Sequence, residues 1–472
     1  MVSNGGVTDI RSSREPIIRT SGGRVRGLTA GGVSSFKGIP YAAPLDGPRR
    51  FQAPQPAAEW GGTRDALAFS ASVPQVPLRP GMSSSWNPGD STDCLSVNVW
   101  VPAAGAAGLP VMVWIYGGAY IRGSSSLPEY DGAILAASGV VVVSLNYRVG
   151  FEGFGWLSDA PQNRAFLDQL AALRWVQDNI RAFGGDPDNV TIFGESAGAT
   201  SAAVLTASEA GRGLFQRAIG QSVATVTGTE ATARATTERI AAALGVPATI
   251  EGFASVAPEA IHAVQWAGGE ISPFGPVLDA ELVRDQPWRG LRGEVDLIAG
   301  FNRDEFRFFA VAEDPAAQDP AAAAAAWGVS IEDYRAAHPA MTDADLYVVI
   351  LSDACFRMPS MWCAQEHPGR SWCYELTWQG PTFGACHGLD VPLTLGNFKG
   401  ALTETVLGID VPDEARRLSE EMVKAWTSFA ATGDPGWPEY RPGEALTRIW
   451  DVPASVVSDP EAASRRIWAS HL

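Results

Sequence analysis

Gly194-Glu195-Ser196-Ala197-Gly198 sets a serine between two glycines in the spacing G-x-S-x-G, and its neighbours give that serine a setting in which it can react. Residues 189–193 form a short, largely apolar run that reads as a buried strand, and residues 197–205 are small and compatible with a helix. A strand that turns at once into a helix forces the residue at the turn into strained backbone angles. Glycines flank it because a side chain there would meet the neighbouring strand or helix. The serine then stands at a helix N-terminus, whose N–H groups favour negative charge developing beside it. That is the chemistry of nucleophilic attack on a carbonyl carbon. A serine hydroxyl also needs a base to take its proton, and the base needs an anionic partner to orient it. Five histidines could serve: His262, His338, His367, His387 and His471.

The elements that must hold such a site follow from the pattern of the chain. Residues 110–116 are an apolar run ended by Gly117-Gly118, and residues 140–146 are a second run, rich in valine. Between 164 and 183 the period becomes helical: Phe166, Leu170, Leu173, Val176 and Ile180 recur three or four apart until Gly184-Gly185. Short runs at 217–222, 295–301 and 372–378 alternate with further helical stretches. Residues 321–326 read as a surface alanine helix. Residues 414–432 read as a terminal helix with Leu418, Met422, Ala425, Trp426 and Phe429 on one face and Gly433 as its stop. Apolar short strands alternating with helices predict an α/β fold, a mostly parallel sheet covered on both faces. No repeat or linker interrupts it. One catalytic unit is expected over 17–472, with helical insertions at about 225–290 and 305–370 and a disordered stretch at 1–16.

Of the 472 residues 46% are hydrophobic and 18% charged, which is ample for a large core. A formal charge of −17, from 35 basic and 52 acidic residues, repels phosphate backbones and argues against a nucleic-acid partner. Residues 1–20 lack the apolar stretch of a secretory signal, and the longest apolar runs are too short to span a bilayer. The five cysteines (Cys94, Cys355, Cys363, Cys373 and Cys386) are odd in number and lack metal-ligand pairing. Buried, reduced thiols in a cytoplasmic setting are expected, with no metal and no cofactor.

The motif set, taken in order, resembles the type-B carboxylesterase and cholinesterase family over most of the chain. Phe36-Lys37-Gly38-Ile39-Pro40-Tyr41-Ala42 is similar to its F-x-G-I-P-Y-A signature, and Asp93-Cys94-Leu95 with Asn98-Val99 to its E-D-C-L-x-L-N-V segment. Asn146-Tyr147-Arg148-Val149-Gly150, Leu167-Asp168-Gln169 and Leu173-Arg174-Trp175-Val176 match its next landmarks. Phe183-Gly184-Gly185-Asp186-Pro187 leads into the serine motif as it does in that family, and Trp426, Phe429-Ala430 and Gly433-Asp434-Pro435 resemble its closing helix. The resemblance implies the α/β-hydrolase fold and hydrolysis of a small-molecule ester through an acyl-enzyme; a monomer or weak homo-oligomer is expected.

In that fold the triad follows the chain order serine, acid, histidine. His262 precedes any plausible acid strand, His471 lies at a chain end expected to fray, and His338 and His367 precede proline in what read as solvated loops. His387 remains, in a Gly384–Asp390 stretch similar to the family's H-x-x-E segment. Gly300-Phe301-Asn302-Arg303-Asp304-Glu305 resembles the family's G-x-x-x-D-E, whose second carboxylate is the triad acid; this favours Glu305 over Asp304. Trp114-Ile115-Tyr116-Gly117-Gly118-Ala119 resembles its oxyanion loop, which carries the donor role to the amides of Gly118, Ala119 and Ala197. Supporting roles fall by the same likeness to Glu195, Ser222 and Asp390.

The chain also departs from the pattern. Thr92 stands where the family has a glutamate that pairs with an arginine, here Arg50, and Cys94 has no upstream cysteine with which to form the family's first disulfide. Val223 and Phe306 each replace a glycine, and both are expected beside the substrate pocket. Three readings compete with ester hydrolysis: an amidase or lactonase, a biosynthetic acyltransferase on the same triad, and a non-catalytic binding protein on the same fold. The last would ordinarily lose the serine or the histidine, and both are present here.

Overall fold

Runs such as Val111-Met112-Val113-Trp114-Ile115 have no polar side to offer water, so they must pair on both edges and be covered on both faces. The computed structural model describes residues 15–77, 84–103, 105–265, 273–314 and 317–472, so most of the stretch expected to be disordered, 1–14, lies outside the described residues. In chain order its strands are β1 (Ile17–Thr20), β2 (Gly23–Arg26), β3 (Leu28–Ala30), β4 (Val33–Pro40), β5 (Thr63–Asp65), β6 (Ser96–Pro102) and β7 (Leu109–Ile115). They continue with β8 (Val141–Leu145), β9 (Gly185–Glu195), β10 (Arg217–Gln221), β11 (Asp296–Asn302), β12 (Ser371–Leu376), β13 (Leu446–Trp450) and β14 (Ser455–Ser458). The main sheet has the order β14-β13-β12-β11-β10-β9-β7-β8-β6-β4-β3, and β1, β2 and β5 form a small separate sheet. From β8 through β13 every neighbouring pair is parallel, while β6, β4, β3 and β14 attach antiparallel at the two sides.

Parallel strands send all their C-terminal ends to one edge, so the loops leaving β7, β9, β10, β11 and β12 converge there. Backbone hydrogen bonds carry the pairing past the strands: Ser196 N to Gln221 O at 2.8 Å, Ser222 N to Gly300 O at 2.7 Å and Arg303 N to Leu376 O at 2.9 Å. The loops are thereby held in register with one another. The helix Arg164–Asn179 buries Phe166, Leu170, Leu173 and Val176 as expected, but stops earlier than its period suggested. Residues Ile180–Phe183 tighten into a 3-10 turn, and Gly184 (φ 88°) ends it. The alanine helix, Pro320–Ala326, is not simply a surface element, because Ala323 and Ala324 pack with Tyr334, Leu346 and Ile350.

Two buried ion pairs brace the loops near the edge. Arg148 meets Asp168 at 2.7 Å with both side chains out of solvent. Arg50, whose usual partner is missing at Thr92, pairs instead with Glu152 at 2.6 Å and donates to Val256 O, so its charge is satisfied by a different element. All five cysteines are free thiols, and burial pushes Cys94 up to about 12. No helix among the described residues is long and apolar enough to cross a membrane.

Candidate active site

Ser196 sits where β9 turns into the helix Ala197–Ala207, with φ 57° and ψ −122°. Such a conformation costs a non-glycine residue about 1–3 kcal/mol, and the surroundings must enforce it. They do so by leaving no room for an alternative. A Cβ added at Gly198 would lie 2.0 Å from Ile115 O, and one at Gly194 would lie 2.5 Å from the same atom. The helix behind the serine is buried along nearly its whole length, and apart from Val204 and Leu205 it is built of Ala, Gly, Ser and Thr.

The turn after β7 is pressed against this one. A Cβ on Gly117 would meet Glu195 O at 2.7 Å and Ser196 Cβ at 3.2 Å. Gly118, Ala119 and Tyr120 all have positive φ (106°, 54° and 60°), a sharp reversal that brings Ala119 to the same cavity wall as Ser196 and Ala197. Tyr116 is fixed by a reciprocal pair: Tyr116 Oη donates to Tyr147 O at 2.9 Å, Tyr147 Oη donates to Tyr116 O at 2.7 Å, and the rings stack 4.3 Å apart. Sequence spacing did not single out this tyrosine pair, although Tyr147 lies in a matched landmark.

Glu305 follows β11 and is buried completely. Its Oε2 lies 2.6 Å from His387 Nδ1, while Oε1 accepts from Ser222 Oγ at 2.5 Å and from Asn302 N at 2.8 Å. The two loops are also joined through their backbones, by His387 N to Glu305 O at 3.2 Å and Asp304 N to Ala385 O at 2.8 Å. Asp304 turns the other way, toward Arg307 at 3.6 Å and Gln379 at 3.4 Å. Asp390 lies deeper, accepting from Tyr374 Oη at 2.7 Å and Gln221 Nε2 at 3.1 Å. The structure therefore gathers Glu305, His387, Ser222 and Asp390 into one buried cluster.

His387 Nε2 faces Glu195 Oε1 at 3.0 Å, and among the described residues no hydrogen bond joins that nitrogen to Ser196. Catalytic hydrogen bonds are often loose before substrate binds. The electrostatics of the cluster are unusual. Burial raises Glu195 to about 7, although the charge on His387 opposes the rise. For His387 burial favours the neutral ring, but the carboxylates of Glu195 and Glu305 outweigh it and push the imidazole up to about 9. Asp390 is also raised, by burial and then by the charge of Glu305. The imidazole ring packs against a stacked pair of phenylalanines, Phe356 at 4.2 Å and Phe309 at 5.3 Å, contacts that no sequence motif announced.

The cavity above Ser196 has a volume of about 980 Å³. Phe154, Trp156, Phe274, Phe306, Phe309 and Phe356 contribute to its lining. Phe306 lines the cavity as expected of that position; Val223 does not, being buried behind it with its N–H bonded to Ser360 Oγ at 2.9 Å. The remaining histidines lie elsewhere in the fold. His367 is not solvated but buried, with Nε2 2.6 Å from Val295 O, and His471 packs on Trp468 rather than fraying. Among the described residues no group of three or more His, Cys, Asp or Glu side chains could hold a metal ion.

A strained serine at a strand–helix turn, a buried carboxylate–histidine pair and a converging glycine turn on a parallel sheet define an α/β-hydrolase of the serine type. The Carboxylesterase family profile matches residues 14–451, and the chain belongs to that family. It is 38% identical to the para-nitrobenzyl esterase of Bacillus subtilis (strain 168), over 95% of this chain and 98% of that one. Among solved structures, a thermophilic pNB esterase superposes with a TM-score of 0.86 at 36% identity, covering 96% of this chain and 99% of the other. The Geobacillus stearothermophilus carboxylesterase Est55 gives a TM-score of 0.86 at 32% identity with the same coverage. This chain is accordingly an ester-hydrolysing enzyme.

Proposed function

We propose that the chain hydrolyses neutral carboxylic esters with a bulky apolar group through an acyl-enzyme on Ser196. His387 acts as the base, Glu305 as its orienting acid, and the amides of Gly118, Ala119 and Ala197 as the oxyanion hole. The observation that carries this reading is the 2.6 Å contact between Glu305 Oε2 and His387 Nδ1, set beside a serine held at φ 57°. In the attack step Ser196 Oγ forms a bond to the carbonyl carbon while its proton passes to His387 Nε2, and the carbonyl oxygen becomes the oxyanion. Collapse breaks the ester C–O bond, and the leaving alkoxide takes the proton from His387. Water then attacks the acyl carbon while His387 Nε2 takes its proton, and collapse breaks the bond between that carbon and Ser196 Oγ, which takes the proton back from His387 as the acid leaves. For Nε2 to accept a proton it must first be deprotonated and turned from Glu195 toward Ser196.

The aromatic cavity wall supports apolar substrates, since burial of an aryl or alkyl group contributes about 25 cal/mol per Å². A panel of p-nitrophenyl esters of graded acyl length, with an amide and a lactone alongside, tests the class. Esters are expected to react far faster than the amide. Ser196→Ala should fold and lose several powers of ten in kcat, leaving only what binding and the oxyanion hole supply. A variant keeping a tenth of the activity contradicts the assignment.

A further inference from the structure

One long helix runs behind the acid and the histidine, and it is irregular at the point of contact. Asp343–Ser352 continues through a π-turn, Asp353–Arg357, into Met358–Glu366. Single π-turns inside helices redirect side chains and collect at functional sites. Pro359 follows at once and has no N–H to offer the preceding turn. The carbonyls released there are used elsewhere: Thr225 Oγ1 donates to Ala354 O at 2.9 Å, and Thr225 N donates to Cys355 O at 3.0 Å.

The segment holds three parts of the candidate site at once. Ser352 Oγ accepts from Phe306 N at 3.0 Å, directly after Glu305. Phe356 lies on the His387 ring, and Ser360 Oγ accepts from Val223 N, directly after Ser222. These three side chains are spaced four apart, on one face of the helix. Arg357, on the adjoining position, donates from Nη2 to Arg303 O at 2.5 Å, two residues before Glu305, and stands 5.6 Å from the Phe301 ring. Arg357 is itself buried and paired with Asp353, which accepts from Tyr334 Oη at 2.6 Å. Tyr334 Oη in turn accepts from Trp468 Nε1 at 2.6 Å, and Glu461 Oε2 lies 3.6 Å from Arg357 Nη1, so residues near the C-terminal end brace the same pair.

We propose that this π-turn is a positioning device for the reaction, with Arg357 the residue that locks the Glu305 loop against the His387 ring. The inference rests on the triad reading above. A buried ion pair contributes little net stability compared with a well-packed apolar pair, but a fixed two-donor guanidinium gives directional hold. Arg357 does not touch the reacting atoms. It acts through the backbone of Arg303, and loss of that hold lets the Glu305–His387 contact open.

Arg357→Lys keeps the charge opposite Asp353 and loses the planar fork. Its kcat on a p-nitrophenyl ester should fall about 30- to 100-fold while KM stays within about threefold, the scale that small misplacements of catalytic groups produce. The acid limb of kcat/KM should also move down, because His387, faced by Glu195, Glu305 and Asp390, loses part of the hold of Glu305 on its protonated form. A folded Arg357→Lys with lowered melting temperature but unchanged kcat and pH limb overturns the proposal. If that variant does not fold, Ser352→Ala carries the test: a kcat loss of about five- to tenfold with the same shift supports it, and a profile unchanged in both respects overturns it. Glu305→Gln run in parallel separates the two ideas. An active Glu305→Gln defeats the triad reading itself, whereas an inactive one beside an unaffected Arg357→Lys defeats this inference alone.

Discussion

The turns at the strand ends and the long helical excursion between β11 and β12 meet at the same cavity, yet they are specified in different ways. At the turns, local sterics dictate the residue type: Gly198 and Gly194 are glycine because Ile115 O occupies the space a Cβ would take. Ser196 is held by the backbone that surrounds it. In the excursion, function depends on side chains that meet only after folding, such as Phe356 on His387 or Arg357 on Arg303. The comparison suggests that the reacting groups are set by backbone geometry, and that their proton affinity, alignment and substrate shape are set by tertiary packing around them.

The largest effect that can break this division comes from the acid. Glu305→Gln keeps the size and removes the charge that orients the imidazole; the corresponding change in a serine protease triad costs about 10⁴ in kcat, and a loss of similar order is expected here. Asp304→Asn, whose side chain faces Arg307 and Gln379, should change kcat by less than roughly tenfold, as a loop residue would. If the two outcomes are exchanged, the acid is Asp304 and the geometry of the buried cluster has been misread.

A smaller effect concerns protons. His387 is held near 9 by carboxylates on two sides, so kcat/KM should rise with pH through a limb above the ordinary histidine value of about 6.5. The sign follows from the base being active only when neutral, which occurs above its pKa. Glu195→Gln removes the carboxylate facing Nε2 and should move the limb down toward the ordinary value. A limb that stays put in a pH–rate profile would show that Glu195 does not tune the base.

The smallest effect belongs to the cavity wall. Phe306→Ala opens space without touching the triad, and should change the ratio of kcat/KM between bulky and acetyl esters by about tenfold while leaving the acetyl rate within about threefold. Equal changes for both substrates would place Phe306 in support of the Glu305 loop rather than in selection of substrate.

The strand–turn–helix around Ser196, the helix Asp413–Thr432 and the parallel sheet were legible because period and turn chemistry are local signals. His387 was reached by elimination and resemblance, and Glu305 over Asp304 by resemblance alone, since two adjacent carboxylates on one loop carry no spacing signal. The new partner of Arg50 was illegible, because Glu152 is an ordinary acidic residue until folding brings it within 2.6 Å. His367 was misread for a related reason: a His-Pro-Gly string looks like an exposed loop, and only the packing against Val295 buries it. Val223 is expected close to the pocket from its place beside Gln221-Ser222; its neighbour Ala224 lines the cavity, while Val223 itself is buried behind the wall with its N–H bonded to Ser360 Oγ.

The central claim is that Ser196 carries the acyl group during turnover. Acid-quenching the enzyme within milliseconds of mixing with a slowly deacylated p-nitrophenyl ester, followed by intact mass and peptide mapping, tests it directly. The account requires one added acyl mass per chain, located on the peptide that contains Ser196 and absent from Ser196→Ala. An acyl group found on another residue, or continued hydrolysis by Ser196→Ala at the wild-type rate, would contradict it.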